Sequence, residues 1–327
     1  MSDNNRIPLT GLNTNEYEHS LDRTTLEALR NIPVLPKLIE LVQTPTSMVT
    51  RYALLGSNMR VTERQLPSLY KKFRQACDIM EVPEPLFYLS TAPELNAYTA
   101  CPDKPIIKMY SYLLDILEDD EIMFVLGHEL AHVKSRHLVY TLLGELISAG
   151  VLRVIVSTIP GLSTIYTPME ISLNYAFYQW MRASEYTADR GGFLACQNFE
   201  ASCRALMKLA GYSRTYANEL SLDEFFEQTK SFDDVNETAL GKVQQILLSF
   251  GQTHPWGVLR TRELLKFRDS GDYDKILRRE MKLPPPEPTP SPPSEVATAP
   301  AAAAPGSLSS MIPKDLKDLK FKNPFKK

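Results

Sequence analysis

The stretch that most restricts how this chain can fold is FVLGHELAHVKSRH, residues 124–137. From Ile122 to Val133 every residue is apolar or glycine except His128, Glu129 and His132. Glu118, Asp119, Asp120 and Glu121 stand just before it, where carboxylates suit the positive end of a helix dipole. The pattern therefore predicts a helix buried all round. A polar group buried there without a partner costs about 2–7 kcal/mol, so the two imidazoles and the acid need a common explanation.

Geometry supplies one. His128 and His132 are four residues apart, about 40° round a helix, and stack on one face where two imidazoles can share a single Zn²⁺. Glu129 is rotated by about 100° from His128, unsuited to that ligand position but placed beside a water that the metal would activate. The bland alternative is a pair of core histidines bonded to backbone. A catalytic zinc needs a third protein ligand and an open position. His137 lies about 140° from His132 on a straight helix and points elsewhere. The pattern H-E-x-x-H-x-x-G-x-x-H fails too, because residues 135 and 138 are serine and leucine. A second helical stretch, YQWMRASEYTADRGGFLA (178–195), carries Glu185 and Asp189 four apart on one face. Glu185 could complete a His₂Glu set, with Asp189 orienting a ligand imidazole. Equally, Glu185 could be a surface carboxylate paired with Arg182 three residues earlier.

Around this core the chain reads as an α+β protein. Helical spacing appears at 21–32 and 65–80, strand-like pieces at 85–90, 96–99 and 105–110, and helical pattern from Ser111 to about Phe267. A net charge of −3 argues against a nucleic-acid partner. Cys77, Cys101, Cys196 and Cys203 form no close pair and read as free thiols in a reducing compartment. The polar start lacks a signal-peptide layout, which makes a cytoplasmic chain the default expectation. Residues 138–169 are apolar but interrupted by Glu145, Arg153 and Pro160, so a buried hairpin or a membrane-touching lid is expected rather than a span. The expected organisation is an N-terminal helical extension (1–50), a catalytic domain (51–283), a Pro/Ala-rich linker (284–310) and a basic tail (311–327). The linker has too little apolar surface to fold. The tail, with Leu316, Leu319 and Phe321 among its lysines, is either solvated or a contact for a partner or an anionic membrane. Nothing in the sequence bears on oligomeric state.

DDEIMFVLGHELAHVKSRH, followed some fifty residues later by RASEYTADRGG, resembles the M48-type zinc metallopeptidases, the gluzincin family that includes HtpX-like proteases and the CAAX prenyl proteases. The resemblance runs from about Arg51 to Phe267. It takes in LNAYTACPDKPIIKMYSYLLDIL, similar to the family's NA(F/Y) strand, and THPWGVLRTREL, similar to its late HP…R segment. It implies a mostly helical zincin-like domain with a small sheet at the cleft edge. Residue by residue, it implies His128, His132 and Glu185 as zinc ligands and Glu129 as the base. Asp189 falls on the family's following aspartate, and His254 and Arg260 fall on the late segment. The HtpX and prenyl-protease branches carry clear membrane helices, and none stands out in this chain.

The function expected on these grounds is zinc-dependent hydrolysis of peptide bonds in unfolded or damaged proteins. Asn96, Ala97 and Tyr98 would bind substrate backbone as an added strand. Arg260 and His254 are candidates to stabilise the oxyanion, and His254 could instead close the open zinc position and hold the enzyme latent. The competing reading is a zinc-bearing, chaperone-like scaffold that cuts little.

Overall fold

Residues 6–92, 94–236, 254–281 and 283 are described by a computed structural model. Helices α1 (Thr14–Tyr17), α2 (Ser20–Arg30) and α3 (Leu35–Ser57) lead into strand β1 (Met59–Arg60) and helix α4 (Pro67–Met80). Strands β2 (Leu86–Ser90), β3 (Ala97–Ala100) and β4 (Ile106–Tyr110) follow. The rest is helical: α5 (Ser111–Ile116), α6 (Asp119–Lys134), α7 (Leu138–Ser148), α8 (Val151–Ser157), α9 (Leu162–Cys196), α10 (Phe199–Ala210) and α11 (Leu222–Asn236). After the gap come α12 (Gly257–Asp269) and α13 (Asp272–Leu277). The architecture is the expected α+β, mostly helical with one small sheet. The two-residue β1 is an addition that no periodicity could signal. The tail and linker expectations for 284–327 lie outside the described residues.

The sheet runs β1-β2-β4-β3, with β2 and β4 parallel and β3 antiparallel to β4. That order leaves β3 at an edge, with Ala97 opposite Met109 and Ala100 opposite Ile106.

Helix α6 is the axis of the larger core. A capping box starts it: the Glu118 backbone N–H donates to Glu121 Oε2 at 2.8 Å, and the Glu118 side chain accepts from the third residue of the helix. Glu121 is fully buried, yet Lys208 (2.7 Å) and Arg204 (3.3 Å) of α10 compensate its charge. Residues Glu121–Ala131 are all buried, as the apolar run predicts. Most of the closing is done by α9. A Cβ at Gly127 would stand 2.3 Å from the Ala195 Cβ, and one at Gly191 would stand 2.4 Å from the Ala131 Cβ. Glycine inside these two helices thus lets their backbones touch, which outweighs its poor helix propensity.

The 35-residue α9 joins two apolar clusters. Its first half packs Tyr166, Leu173, Phe177 and Trp180 with α2, α3, α7 and α8. Its second half packs Phe193 and Leu194 with α4, α6 and α10. Glu185 sits on α9 between the two clusters. The segment expected as a hairpin or lid forms α7 and α8, bent by 86° at a break where Gly150 takes φ +71°, and then enters α9. Leu143, Ile147, Leu152 and Val156 face inward, while Val151 and Val154 are exposed. Among the described residues no single helix is long and apolar enough to cross a membrane; α7 and α8 together have the length and composition of one bent span.

Candidate metal centre and cleft

Helices α6 and α9 bring His128, His132 and Glu185 together, with one ligand-type atom from each inside a 4.8 Å cluster. The two Nε2 atoms are 3.2 Å apart; His132 Nε2 is 3.4 Å from Glu185 Oε1, and His128 Nε2 is 3.6 Å from Glu185 Oε2. Glu185 is only 4% exposed, so it is no surface carboxylate paired outward. Burial alone would push its carboxyl up. The charge of His254 and the contact with His132 overcome that and hold it well below the usual carboxylate range. Burial would likewise lower His132, but Glu185 beside it raises it.

These residues fit a metal ion. Two nitrogens and a carboxylate converge without competing donors between them. Glu185 Oε2 is buried without a hydrogen-bond partner among the described residues. Besides the imidazole of His254, whose Nδ1 lies 2.9 Å away at the exposed side, nothing among the described residues is placed to balance that oxygen's charge within the cluster except Arg260 Nη1 at 3.6 Å. A cation would satisfy the orphaned oxygen and separate the facing imidazole nitrogens.

Asp189, one turn beyond Glu185 on α9, lies 3.0 Å from His128 Nδ1 through Oδ1. Arg260 of α12 grips the same carboxylate with a fork, Nε to Oδ2 at 2.8 Å and Nη2 to Oδ1 at 2.6 Å. Burial would raise Asp189; the Arg260 charge and fork hold it below its ordinary value. An ionised Asp189 accepts a hydrogen bond from His128 Nδ1–H, which leaves Nε2 as a bare lone pair facing the cluster. Arg260 also sets Nη1 3.6 Å from Glu185 Oε2, so its guanidinium is turned to both Glu185 and Asp189 of α9. His254 is different: its side chain is 61% exposed, and the adjacent Glu185 charge raises its pKa.

Glu129 points into a cleft of about 850 Å³ walled by β3, α6, α7, α9 and the start of α12. Thr99 of β3 donates from Oγ1 to Glu129 Oε2 at 2.6 Å. Asn96, Ala97 and Tyr98 line the same wall, and the far edge of β3 carries no strand among the described residues. The expected site residues thus border one cleft, except Asp189, which is buried behind His128. Two further contacts escaped the sequence reading. Thr99 ends the strand-like piece 96–99, but nothing in the sequence signals its contact with Glu129. His137, set aside because it would point away on a straight helix, lies with Nδ1 3.0 Å from His132 Nδ1.

Comparison with known proteins identifies the family. Residues 62–268 match the profile of Peptidase family M48. The Plastoglobule-localized metallopeptidase 48, chloroplastic, of Arabidopsis thaliana is 29% identical over 271 residues, covering 82% of this chain and 76% of the relative. A Protease HtpX homolog of Polynucleobacter necessarius is 26% identical over 233 residues, 65% of this chain and 78% of the relative. Among solved structures, S. mikatae Ste24p aligns with a TM-score of 0.39 at 18% identity, covering 75% of this chain and 64% of that one. The expectation of a cytoplasmic chain is corrected here. The matched relatives include several HtpX homologues, the branch for which the resemblance implies membrane helices, and one relative is plastoglobule-localized. The relatives point to a membrane setting, and a polar N-terminus was no ground for the cytoplasm.

Proposed function

From a chain that belongs to peptidase family M48, and so is a metalloprotease, we propose a zinc-dependent endopeptidase that cuts within unfolded polypeptides. The observation that carries the reading is the convergence of His128, His132 and Glu185 beside Glu129 at the floor of one open cleft. A mixed nitrogen and carboxylate set of three suits catalytic Zn²⁺, which leaves a position open. Bound there, zinc supplies Lewis-acid polarisation of the scissile carbonyl and makes water a stronger acid.

The chain's own residues do the rest. Glu129 accepts a proton from the attacking water and delivers it to the leaving amine nitrogen. Thr99 holds the carboxylate in place for both transfers, since its hydroxyl occupies Oε2 and leaves Oε1 for the water. Asn96, Ala97 and Tyr98 present a strand edge on which a substrate backbone lies extended, which favours unfolded chains and asks little of their sequence. His254, exposed at the cleft mouth, donates to the developing oxyanion, and Arg260 balances Asp189 and Glu185.

A second reading rests on the 2.9 Å approach of His254 to Glu185. On this reading the imidazole competes for the open metal position and holds the enzyme latent until it moves away. Metal analysis and digestion together test both readings. One zinc per chain, lost in His128→Ala and Glu185→Ala, is expected, with internal cleavage of an unfolded protein. His254→Ala raises the rate if the histidine is a latch and lowers it if it only serves the oxyanion. Full zinc retention in Glu185→Ala would remove Glu185 from the ligand set.

A further inference from the structure

His137 is 1% exposed, and both of its ring nitrogens are engaged. Helix α6 ends at Lys134, and Arg136 takes the left-handed conformation at φ +58°. That reversal lets the His137 N–H donate to the His132 carbonyl at 3.1 Å and brings the side chain back beneath His132. Nδ1 of His137 then lies 3.0 Å from Nδ1 of His132, and Nε2 lies 3.1 Å from Oδ2 of Asp22. The ring stands edge-on to Trp180, with centroids 5.6 Å apart and planes at 85°, which stops it turning over.

Asp22 belongs to α2 and is completely buried. Its Oδ2 accepts from Thr187 Oγ1 at 2.6 Å and its Oδ1 from Trp180 Nε1 at 2.9 Å. A carboxylate among donors can only accept, so the proton between Asp22 and His137 sits on His137 Nε2. A neutral His137 then offers Nδ1 as an acceptor. Of the two facing Nδ1 atoms, the one carrying a proton must be that of His132. The Nε2 of His132 is therefore a bare lone pair, turned to His128 and Glu185.

We propose that Asp22 and His137 are positioning residues that fix the Nδ1–H tautomer of His132. Helix α2, which lies outside the matched span 62–268, thereby completes the metal centre. The inference rests on the metal reading given above. The two histidine ligands are oriented differently: His128 by a carboxylate directly, His132 through an intervening imidazole. Asparagine at position 22 exposes the consequence. If its amide nitrogen faces His137, the tautomers of His137 and His132 both reverse, and a proton then covers His132 Nε2. If it turns the other way, it meets the Trp180 N–H, a second donor.

The test uses the full chain. With five histidines in the sequence, ¹⁵N-histidine labelling gives a resolvable two-bond proton–nitrogen spectrum of zinc-loaded protein. Wild type is expected to show His132 protonated on Nδ1 and His137 on Nε2. Zinc affinity by chelator competition should fall 10–100-fold in Asp22→Asn and His137→Phe. Leu29→Ala, a buried change on the same helix with no part in the chain of hydrogen bonds, should stay within about threefold. A folded Asp22→Asn that binds zinc like wild type overturns the proposal, as does a wild-type His137 protonated on Nδ1. The tautomer result decides even where a variant does not fold. A wild type that holds no zinc at all overturns the metal reading itself, which the other outcomes leave standing.

Discussion

Replacing Gly127 by alanine sets helix propensity against packing, and the two give opposite signs. Alanine inside a helix is favoured over glycine by about 0.8–1.0 kcal/mol, so on propensity alone the variant gains stability. The new methyl, however, would lie 2.3 Å from the Ala195 Cβ and 3.1 Å from both the Gly191 carbonyl oxygen and the Gly192 Cα. Carbon atoms rest at about 3.5–4.0 Å, so α6 and α9 would have to part by more than about 1 Å. Neither Ala195 nor the α9 backbone can swing aside. Overpacking of this kind costs about 1–3 kcal/mol, and here it acts on backbone, the upper part of that range. A net loss of about 1–2 kcal/mol is expected. The same separation moves His128, one residue on, away from Glu185, so zinc affinity should fall together with stability. Urea unfolding of metal-free protein measures the first effect as a lower midpoint at unchanged slope. A Gly127→Ala protein more stable than wild type would show that the helices do not touch there, and the reasoning about their crossing would fail.

Arg260→Ala should cost metal-free protein about 3–5 kcal/mol, because buried Asp189 and Glu185 lose their cation. Arg260→Lys should recover only part, since it keeps the charge without the fork. A melting temperature within about 3 °C of wild type for the alanine variant would contradict this. Burial would raise Glu263, but contacts with His19, Lys266 and Arg262 bring it down to about 2. A depressed carboxyl stabilises above its ordinary value near 4.5 and loses that contribution as pH falls through about 2. The stability difference between wild type and Glu263→Gln should therefore shrink from on the order of 2 kcal/mol at pH 6 to near zero at pH 2; a difference independent of pH refutes it. All four cysteines are buried, and burial pushes Cys196 and Cys203 up to about 12. Native protein should resist a neutral thiol reagent that modifies four thiols after denaturation. Rapid labelling of any one in native protein would show its pocket to be open.

The parts of the site legible in the sequence are those set by local geometry. His128 and His132 stand out because a four-residue interval on an otherwise apolar helix leaves few uses for two imidazoles. Glu129 follows from the same turn. Glu185 and Asp189 share a face on spacing alone, but spacing could not say whether that face met solvent or α6. Gly127 and Gly191 hold that answer, since two glycine-containing helices that bury their polar residues can approach backbone to backbone. Asp22 carried no signal, because its partners on α9 are some 160 residues away and nothing around it in α2 is unusual. His137 is outside the ligand cluster, as expected, but its place beneath His132 was hidden, because the left-handed Arg136 ends a helix that the sequence reads as continuous. Thr99 depended on the register of β3 against α6, which no sequence period encodes. The cytoplasmic expectation failed because a polar first stretch says nothing about the setting of helices such as α7 and α8, whose apolar residues are divided between core and surface.

The first measurement to make is digestion of an unfolded model protein by zinc-loaded wild type beside zinc-loaded Glu129→Gln, with bound metal quantified in both. Internal cleavage by wild type alone, at equal zinc content, is the expected result and would leave a metal-bound, inactive variant for trapping substrates. Equal cleavage by both proteins would contradict the assignment of Glu129 as the base.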